Sequence, residues 1–101
     1  MNARVIQYRT HPEAAEENRR LIEDVVREVG QAGPGLRYAA FVLEDGVTFV
    51  HFAALDDPDR LASISAFGVF REHLEDRVVP GSRTETKLDV IGFSVKNSSE
   101  A

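Results

Sequence analysis

The chain has 101 residues, a net charge of −5 and no cysteine, which excludes disulfides and thiolate metal sites. Hydrophobic residues make up 43% and charged residues 29%, the composition of a globular domain and not of a disordered segment. The acidic balance disfavours nucleic acid as a partner, and no apolar run approaches the roughly 20 residues that a membrane span requires. The opening segment MNARVIQYRT lacks the apolar stretch of a signal peptide, so we expect a cytoplasmic protein without a membrane partner.

The first strand and the first helix are indicated by β-branched residues followed by helix-start chemistry. Residues 4–10, RVIQYRT, have the composition of a short strand. Thr10 is predicted to be the N-cap, with Glu13 completing a capping box and Pro12 in the first turn. The helix continues to Gly30, because apolar or small residues recur on one of its faces. That face consists of Ala14, Asn18, Leu21, Ile22, Val25, Val26 and Val29. We interpret Asn18 as a boundary position that meets solvent.

A β-hairpin is predicted over residues 36–55, LRYAAFVLEDGVTFVHFAAL, around Asp45-Gly46. Asp-Gly between two apolar runs is a strong hairpin signal, because a two-residue turn needs a positive φ at both positions. If Asp45 and Gly46 form that turn, the numbers of paired residues sum to 91, and His51 lies opposite Ala40. A three-residue loop with a bulge at Gly46 would instead shift the partner of His51 by one residue.

A second helix and a last strand follow the hairpin. Residues 56–60, DDPDR, contain helix-start signals, and a stripe at helical spacing continues until Pro80-Gly81. The stripe consists of Leu61, Ile64, Phe67, Phe70 or Arg71, Leu74 and Val78. Residues 83–94, RTETKLDVIGFS, are predicted to form the last strand. We expect one domain over residues 1–95 and a polar C-terminal tail, KNSSEA, over residues 96–101.

The order of the elements is therefore β-α-β-β-α-β. Short connections and right-handed crossovers turn this order into a four-stranded antiparallel sheet with two helices on one face, which is the ferredoxin-like α+β arrangement. Two helices cover only one face of the sheet, whereas strand 47–55 is apolar on both faces. Because an uncovered apolar face usually marks an interface, we expect a homodimer whose sheets pack face to face.

The hairpin register divides the side chains between the two faces of the sheet. We assign the more uniformly apolar set to the helices, and this set consists of Ala39, Phe41, Leu43, Thr48, Val50 and Phe52. The other set is then on the open face and consists of Tyr38, Ala40, Val42, Phe49, His51 and Ala53. Small alanines between the rings of Tyr38 and His51 leave room for a cavity on that face.

His51 and Tyr38 are the candidate catalytic residues, as a base and as a hydrogen-bond donor. Three interpretations of His51 stay open: a structural histidine bonded to a carbonyl or to Tyr38, a ligand-contacting or acid–base residue, and a metal ligand. We expect no metal site, because no second histidine or carboxylate stands at a suitable spacing along the strand. The candidate ligand-binding residues are Tyr8, Ala40, Phe49, Ala53, Phe67, Phe70 and His73. His73 is alternatively a solvated residue at the edge of the helix stripe.

Three features of the chain resemble one known superfamily. They are the order of the elements, the hairpin segment LEDGVTFVHFAAL, and the segment ISAFGVFREHLEDRV at residues 64–78. Over residues 3–94 the chain resembles the dimeric α+β barrel superfamily, and within it the antibiotic-biosynthesis-monooxygenase-like proteins. The resemblance implies a dimer, and the superfamily includes cofactor-free oxygenases, haem-degrading enzymes and proteins without demonstrated chemistry.

The chain departs from the pattern of the active members of that superfamily. Oxygenases and haem degraders commonly use a tryptophan and an asparagine beside a tyrosine or histidine. This chain has no tryptophan, and Asn18 is its only asparagine away from the ends. His73 falls about one residue from the place where haem degraders carry their iron-ligating histidine.

The sequence leaves two classes of function open, and the resemblance adds a third. The first is a cofactor-free, monooxygenase-like enzyme acting on a flat apolar small molecule. The second is a non-catalytic ligand-binding or dimeric interaction module, in which the same residues only seal the dimer. The third is a haem-binding or haem-degrading protein. We expect no bound cofactor, and the first two classes differ in whether the protein holds an open cavity or a filled core.

Overall fold

The computed structural model describes residues 2–94, which form a four-stranded antiparallel sheet with helices packed on one face. The strands are β1 (Asn2–Arg9), β2 (Leu36–Val42), β3 (Thr48–Leu55) and β4 (Thr84–Leu88), in the spatial order β2-β3-β1-β4. The helices are α1 (Ala15–Gln31), α2 (Ser65–Arg71) and α3 (Leu74–Arg77). The predicted ferredoxin-like α+β fold is confirmed. The predicted tail at 96–101 lies outside the described residues.

The hairpin between β2 and β3 has the predicted register but a different turn. His51 lies opposite Ala40, as the sum of 91 requires. The loop spans four residues (44–47), so it preserves the register that a two-residue turn would give. Gly46 has a φ of +77°, whereas Asp45 does not adopt a positive φ and instead accepts hydrogen bonds from the two amides that follow Gly46. The expectation of a positive φ at both turn positions was therefore wrong.

The helices cover the face of the sheet opposite to the predicted one. The covered face carries Tyr8, Tyr38, Phe49, His51 and Ala53. The open face carries Phe41, which is 58% exposed, and beside it Leu43, Val50 and Phe52. The prediction ranked the two faces by apolarity alone. That ranking fails here because polar tips can be buried when they bond one another, and because an apolar face can remain for a partner.

Helix α1 begins at Ala15, whereas the capping box predicted a start directly after Thr10. A short 3-10 turn, Pro12–Ala14, precedes the helix, and no side chain caps either start. Thr10 instead forms an isolated bridge with Val78, and its buried hydroxyl has no hydrogen-bond partner in the described part of the chain. Pairing with the segment that enters β4 therefore removes Thr10 from the capping position.

The predicted second helix over residues 61–78 is broken into short pieces. A 3-10 turn, Leu61–Ser63, precedes α2, and two residues separate α2 from α3. One of them, His73, adopts a left-handed conformation with a φ of +61°, which is unfavourable for a residue other than glycine. The apolar residues keep their helical spacing across the break, so the sequence pattern predicted one continuous helix.

The last strand is shorter than predicted, since regular pairing ends at Leu88. Phe93 lies against the open face of the sheet, with its ring centroid 5.9 Å from that of Phe52. The guanidinium of Arg37 lies 4.6 Å from the centroid of the Phe93 ring. Phe93 therefore covers part of the open face, although residues 89–94 do not extend the sheet. None of the helices within residues 2–94 has the length and apolarity needed to cross a membrane.

Gly35, directly before β2, and Gly30, in α1, provide a matched test of the backbone conformation. Gly35 has a φ of +97°, and an added Cβ would collide with the Asp56 carboxylate. Gly35→Ala should therefore lower the free energy of unfolding by about 1–3 kcal/mol. Gly30 lies in α1 with open space around it, so Gly30→Ala should raise that free energy by about 0.5 kcal/mol. Urea denaturation measures both changes, and equal midpoints for the two variants would contradict the described geometry at Gly35.

Candidate functional site

A chain of hydrogen bonds runs through the core from the break in the second helix to the sheet. In order, its members are Arg77, Asn18, Tyr8, His51 and Tyr38. Arg77 Nε donates to Asn18 Oδ1 at 2.9 Å, and Asn18 Nδ2 donates to the Tyr8 hydroxyl at 2.8 Å. The Tyr8 hydroxyl lies 2.8 Å from His51 Nε2, and the Tyr38 hydroxyl lies 2.5 Å from His51 Nδ1. Side chains from α3, α1, β1, β3 and β2 thus form one polar network.

Strand register brings the two tyrosines to opposite sides of His51. Tyr8 on β1 pairs with Phe49, and Tyr38 on β2 pairs with Ala53, so each tyrosine is a diagonal neighbour of His51 on one face of the sheet. Diagonal neighbours lie within reach of aromatic side chains. The Tyr8 and His51 rings are stacked, with centroids 5.3 Å apart. Strand β3, which lies between β2 and β1, therefore holds the imidazole between two hydroxyl groups.

Four of the five members of the network are buried although all of them are polar, and Tyr38 is partly buried. Tyr8, His51 and Arg77 are each less than one-tenth exposed, and Asn18 is 0% exposed. The prediction that Asn18 meets solvent was wrong. Asn18 belongs to the buried face of α1 because it contacts Tyr8 on one side and Arg77 on the other. Helical spacing indicates which face of a helix is buried, but it does not reveal a polar partner on another element.

Arg77 is a buried cation without a carboxylate at ion-pair distance within residues 2–94. Its guanidinium donates to the carbonyl oxygens of Phe70 at 2.5 Å and Glu72 at 3.2 Å, at the end of α2. It also lies 5.5 Å from the centroid of the Phe70 ring. The sequence analysis assigned no role to Arg77, because in LEDR it has the appearance of one charge on a solvated helix.

Burial keeps all three rings of the network neutral near pH 7. Burial lowers the pKa of His51 to about 4. Burial raises the pKa of Tyr8 to about 12, although the Asn18 hydrogen bond and the Arg77 charge act in the opposite direction. Burial also raises the pKa of Tyr38, and the proximity of Tyr8 raises it further. The site therefore offers hydrogen-bonding groups and no ionised ring.

A cavity of about 90 Å³ lies beside Tyr38 and His51, between the sheet and α2. Six of the predicted site residues line it: Tyr8, Tyr38, His51, Ala53, Phe67 and Phe70. Arg71 and Arg83 also line the cavity, and the rest of its wall is aliphatic. A space of this size holds a few water molecules or one end of a ligand, since pockets for whole drug-sized ligands are several times larger.

Three predicted ligand-binding residues lie outside this cavity. Ala40 and Phe49 line a separate cleft of about 320 Å³ between α1 and β2. His73 lies at the helix break with its side chain 74% exposed, near the carboxylates of Glu72 and Asp76. Within residues 2–94, no group of three or more His, Cys, Asp or Glu side chains is arranged to hold a metal ion.

The lowered pKa of His51 predicts a pH-dependent contribution to stability. Because the fold favours the neutral ring, the unfolded chain binds more protons than the native one between about pH 6.5 and pH 4. The His51 contribution is complete above pH 6.5 and falls by about 3 kcal/mol as the pH drops to 4. Denaturant unfolding of the wild type and His51→Gln should therefore show a steeper loss for the wild type over this range. Identical pH slopes would contradict a buried, neutral His51.

No family model and no curated protein sequence matches the chain, whereas solved structures do. The structure of an antibiotic biosynthesis monooxygenase superposes with a TM-score of 0.72 at 20% identity, covering 91% of this chain and 100% of that chain. A structure from Mycobacterium tuberculosis superposes with a TM-score of 0.72 at 17% identity, covering 93% of this chain and 98% of that one. For a protein of unknown function from Nitrosomonas europaea the TM-score is 0.70 at 13% identity, with coverages of 96% and 95%. The predicted resemblance is thus confirmed as a likeness of fold.

Proposed function

We propose that this chain, which has the fold of the antibiotic-biosynthesis-monooxygenase-like proteins, is a cofactor-independent enzyme of that type acting on a flat apolar small molecule. The observation that carries the proposal is Tyr38, which lines a mostly apolar cavity and whose hydroxyl lies 2.5 Å from Nδ1 of His51. Aromatic and aliphatic walls suit a flat ring, and one hydroxyl group among them orients one oxygen atom of the bound molecule. In this proposal the predicted site residues that line the cavity contact the substrate.

His51 is not free to act as the predicted base, because tyrosine hydroxyls occupy both of its ring nitrogens. We therefore propose that the substrate, although otherwise apolar, has one group acidic enough to ionise in water and binds as its anion. The guanidinium groups of Arg71 and Arg83, which line the cavity, favour an anion there. A molecule with a CH₂ group between two carbonyls, one of them attached to an aromatic ring, has this chemistry.

Tyr38 then acts by donating a hydrogen bond to the enolate oxygen. A donor held in place within a mostly apolar cavity stabilises negative charge more than water does, because it does not need to reorient. The enolate supplies the electrons for its own oxidation by dioxygen. The CH₂ group becomes a carbonyl, and the second oxygen atom leaves with two hydrogen atoms as water.

A non-catalytic ligand-binding module is the second candidate function. It is favoured by the complete pairing of His51, since a general base needs a nitrogen that is free to take a proton. In this case the same cavity and the same Tyr38 hydroxyl bind the ligand without oxidising it.

The haem alternative lacks an available axial ligand at this cavity. His73, the residue closest to the family's iron ligand in sequence, does not line the cavity. His51 does line it, but ligation of iron would require His51 to lose a hydrogen bond to Tyr8 or Tyr38.

We also propose that the open sheet face joins two copies of the chain. Phe41 and Leu43 are exposed on this face, and Ile91 and Phe93 are exposed in the segment beside it. An apolar surface of this kind usually marks an interface. A second copy presents the same surface, so face-to-face packing of two sheets buries both at once.

Sedimentation velocity at micromolar concentration should show a dimer with twice the 11.2 kDa mass of the chain. Phe41→Lys places a charge in the proposed interface and should weaken the dimer by about tenfold or more. Val69→Lys is the matched control, because Val69 is similarly exposed (55%) but lies on α2, on the other side of the sheet. A stable monomer for the wild type, or equal dissociation of the two variants, would contradict the proposed interface.

Oxygen uptake with 1-phenyl-1,3-butanedione tests the proposed reaction. We expect the wild type to consume oxygen, and Tyr38→Phe to lose about 100-fold in rate, the usual effect of removing one donor to an oxyanion. Ser63→Ala removes an exposed hydroxyl that does not line the cavity and should leave the rate unchanged. Binding of the compound without oxygen uptake would favour the ligand-binding module, and the absence of both would contradict the two candidates for this compound class.

A further inference from the structure

The hydrogen-bond network has a direction because one of its ends is a guanidinium group. An arginine side chain only donates hydrogen bonds, so the atom of Asn18 that faces Arg77 is the carbonyl Oδ1. The amide nitrogen of Asn18 must then face Tyr8, and it donates to the Tyr8 hydroxyl oxygen. The single hydroxyl proton of Tyr8 is left for its other partner, the His51 ring.

The proton of Tyr8 therefore lies in the bond to His51 Nε2. If Nε2 carried a proton and donated it, the Tyr8 hydroxyl would have no acceptor within residues 2–94. Tyr8 is only 3% exposed, and an unpaired buried donor is strongly unfavourable. A neutral imidazole carries one N–H, and burial keeps the pKa of His51 low enough for the neutral form. The ring proton is therefore on Nδ1, from which it is donated to Tyr38.

Tyr38 accepts this hydrogen bond, so its own hydroxyl proton is available to the cavity that it lines. We propose that Arg77, which does not line the cavity, is a positioning residue: through Asn18 and Tyr8 it fixes His51 as the Nδ1–H tautomer and thereby makes Tyr38 a hydrogen-bond donor to the bound molecule. The ligand must then present an acceptor atom at this point, such as a carbonyl or enolate oxygen. Only this last step rests on the proposed function.

Asn18→Asp should reverse the direction of the network with little change in shape. The new carboxylate still accepts from Arg77, but it also accepts the proton of Tyr8. The Tyr8 oxygen then accepts from Nε2–H of His51, and Nδ1 becomes an acceptor for the hydroxyl of Tyr38. The outward donor is lost although every residue that lines the cavity is unchanged.

The tautomer is measured by ¹⁵N NMR of the His51 side chain, without any ligand. We expect Nδ1–H in the wild type and Nε2–H in Asn18→Asp. Tyr38→Phe should keep the Nδ1–H tautomer, because the direction is set from the Arg77 end of the network. The inference would be overturned if the wild type carried the His51 proton on Nε2. It would also be overturned if Tyr38→Phe changed the tautomer and Asn18→Asp did not. The wild type and Tyr38→Phe provide this test even if Asn18→Asp does not fold.

The consequence for binding is measured with acetophenone and α-methylstyrene, which have similar shapes but differ in carrying a carbonyl oxygen or a CH₂ group. Asn18→Asp should bind acetophenone about three- to tenfold more weakly, the usual effect of one lost hydrogen bond, with α-methylstyrene unchanged. The double variant Asn18→Asp/Tyr38→Phe should lose no more than Tyr38→Phe alone. If Asn18→Asp kept the wild-type ratio of affinities for acetophenone and α-methylstyrene, the inference that Tyr38 donates a hydrogen bond into the cavity would be overturned. If neither probe binds to the wild type, the proposed ligand class fails while the tautomer result still decides the role of Arg77.

Discussion

The burial of the Arg77 guanidinium is the constraint on which the core of this protein depends. A buried cation is costly unless acceptors surround it, and no carboxylate within residues 2–94 lies at ion-pair distance from it. The acceptors come instead from Asn18 and from carbonyl oxygens that the break after α2 leaves available. The left-handed conformation of His73 and the burial of Asn18 on α1 are therefore parts of one arrangement. In this arrangement the helix break and Asn18 together supply the acceptors that the buried guanidinium needs.

The same constraint explains why His51 can be buried on the central strand. Its two tyrosine partners come from neighbouring strands, so the sheet register alone places them. Register does not decide which ring nitrogen carries the proton. That is decided at a distance, because Arg77 can only donate and each group in the network has few ways to satisfy its neighbours. A remote charge thus controls the hydrogen-bonding character of a hydroxyl group on the cavity wall.

Local patterns predicted the element order, the hairpin register and the proximity of Tyr38 to His51. Those features follow from periodicity and from the turn at Asp45-Gly46, which are encoded in short segments. The covered face of the sheet, the break in the second helix and the roles of Asn18 and Arg77 were missed. Each of these depends on pairing between polar groups far apart in the chain, and a single sequence carries no local signal for such pairing. Ranking the faces by apolarity gave the wrong face, because such a ranking does not distinguish a tyrosine whose hydroxyl is hydrogen-bonded from one whose hydroxyl is not.

In the proposed function, the structural and functional interpretations of His51 are compatible. They were alternatives in the sequence analysis, because a histidine with both ring nitrogens hydrogen-bonded has no nitrogen free to act as a base. In the network His51 is fully bonded, yet the direction of those bonds leaves one donor, the Tyr38 hydroxyl, facing the cavity. In the proposed function, the imidazole therefore acts on a ligand only through that hydroxyl. The same four hydrogen bonds that satisfy the buried polar groups of the core would then also set the polarity that orients the proposed ligand.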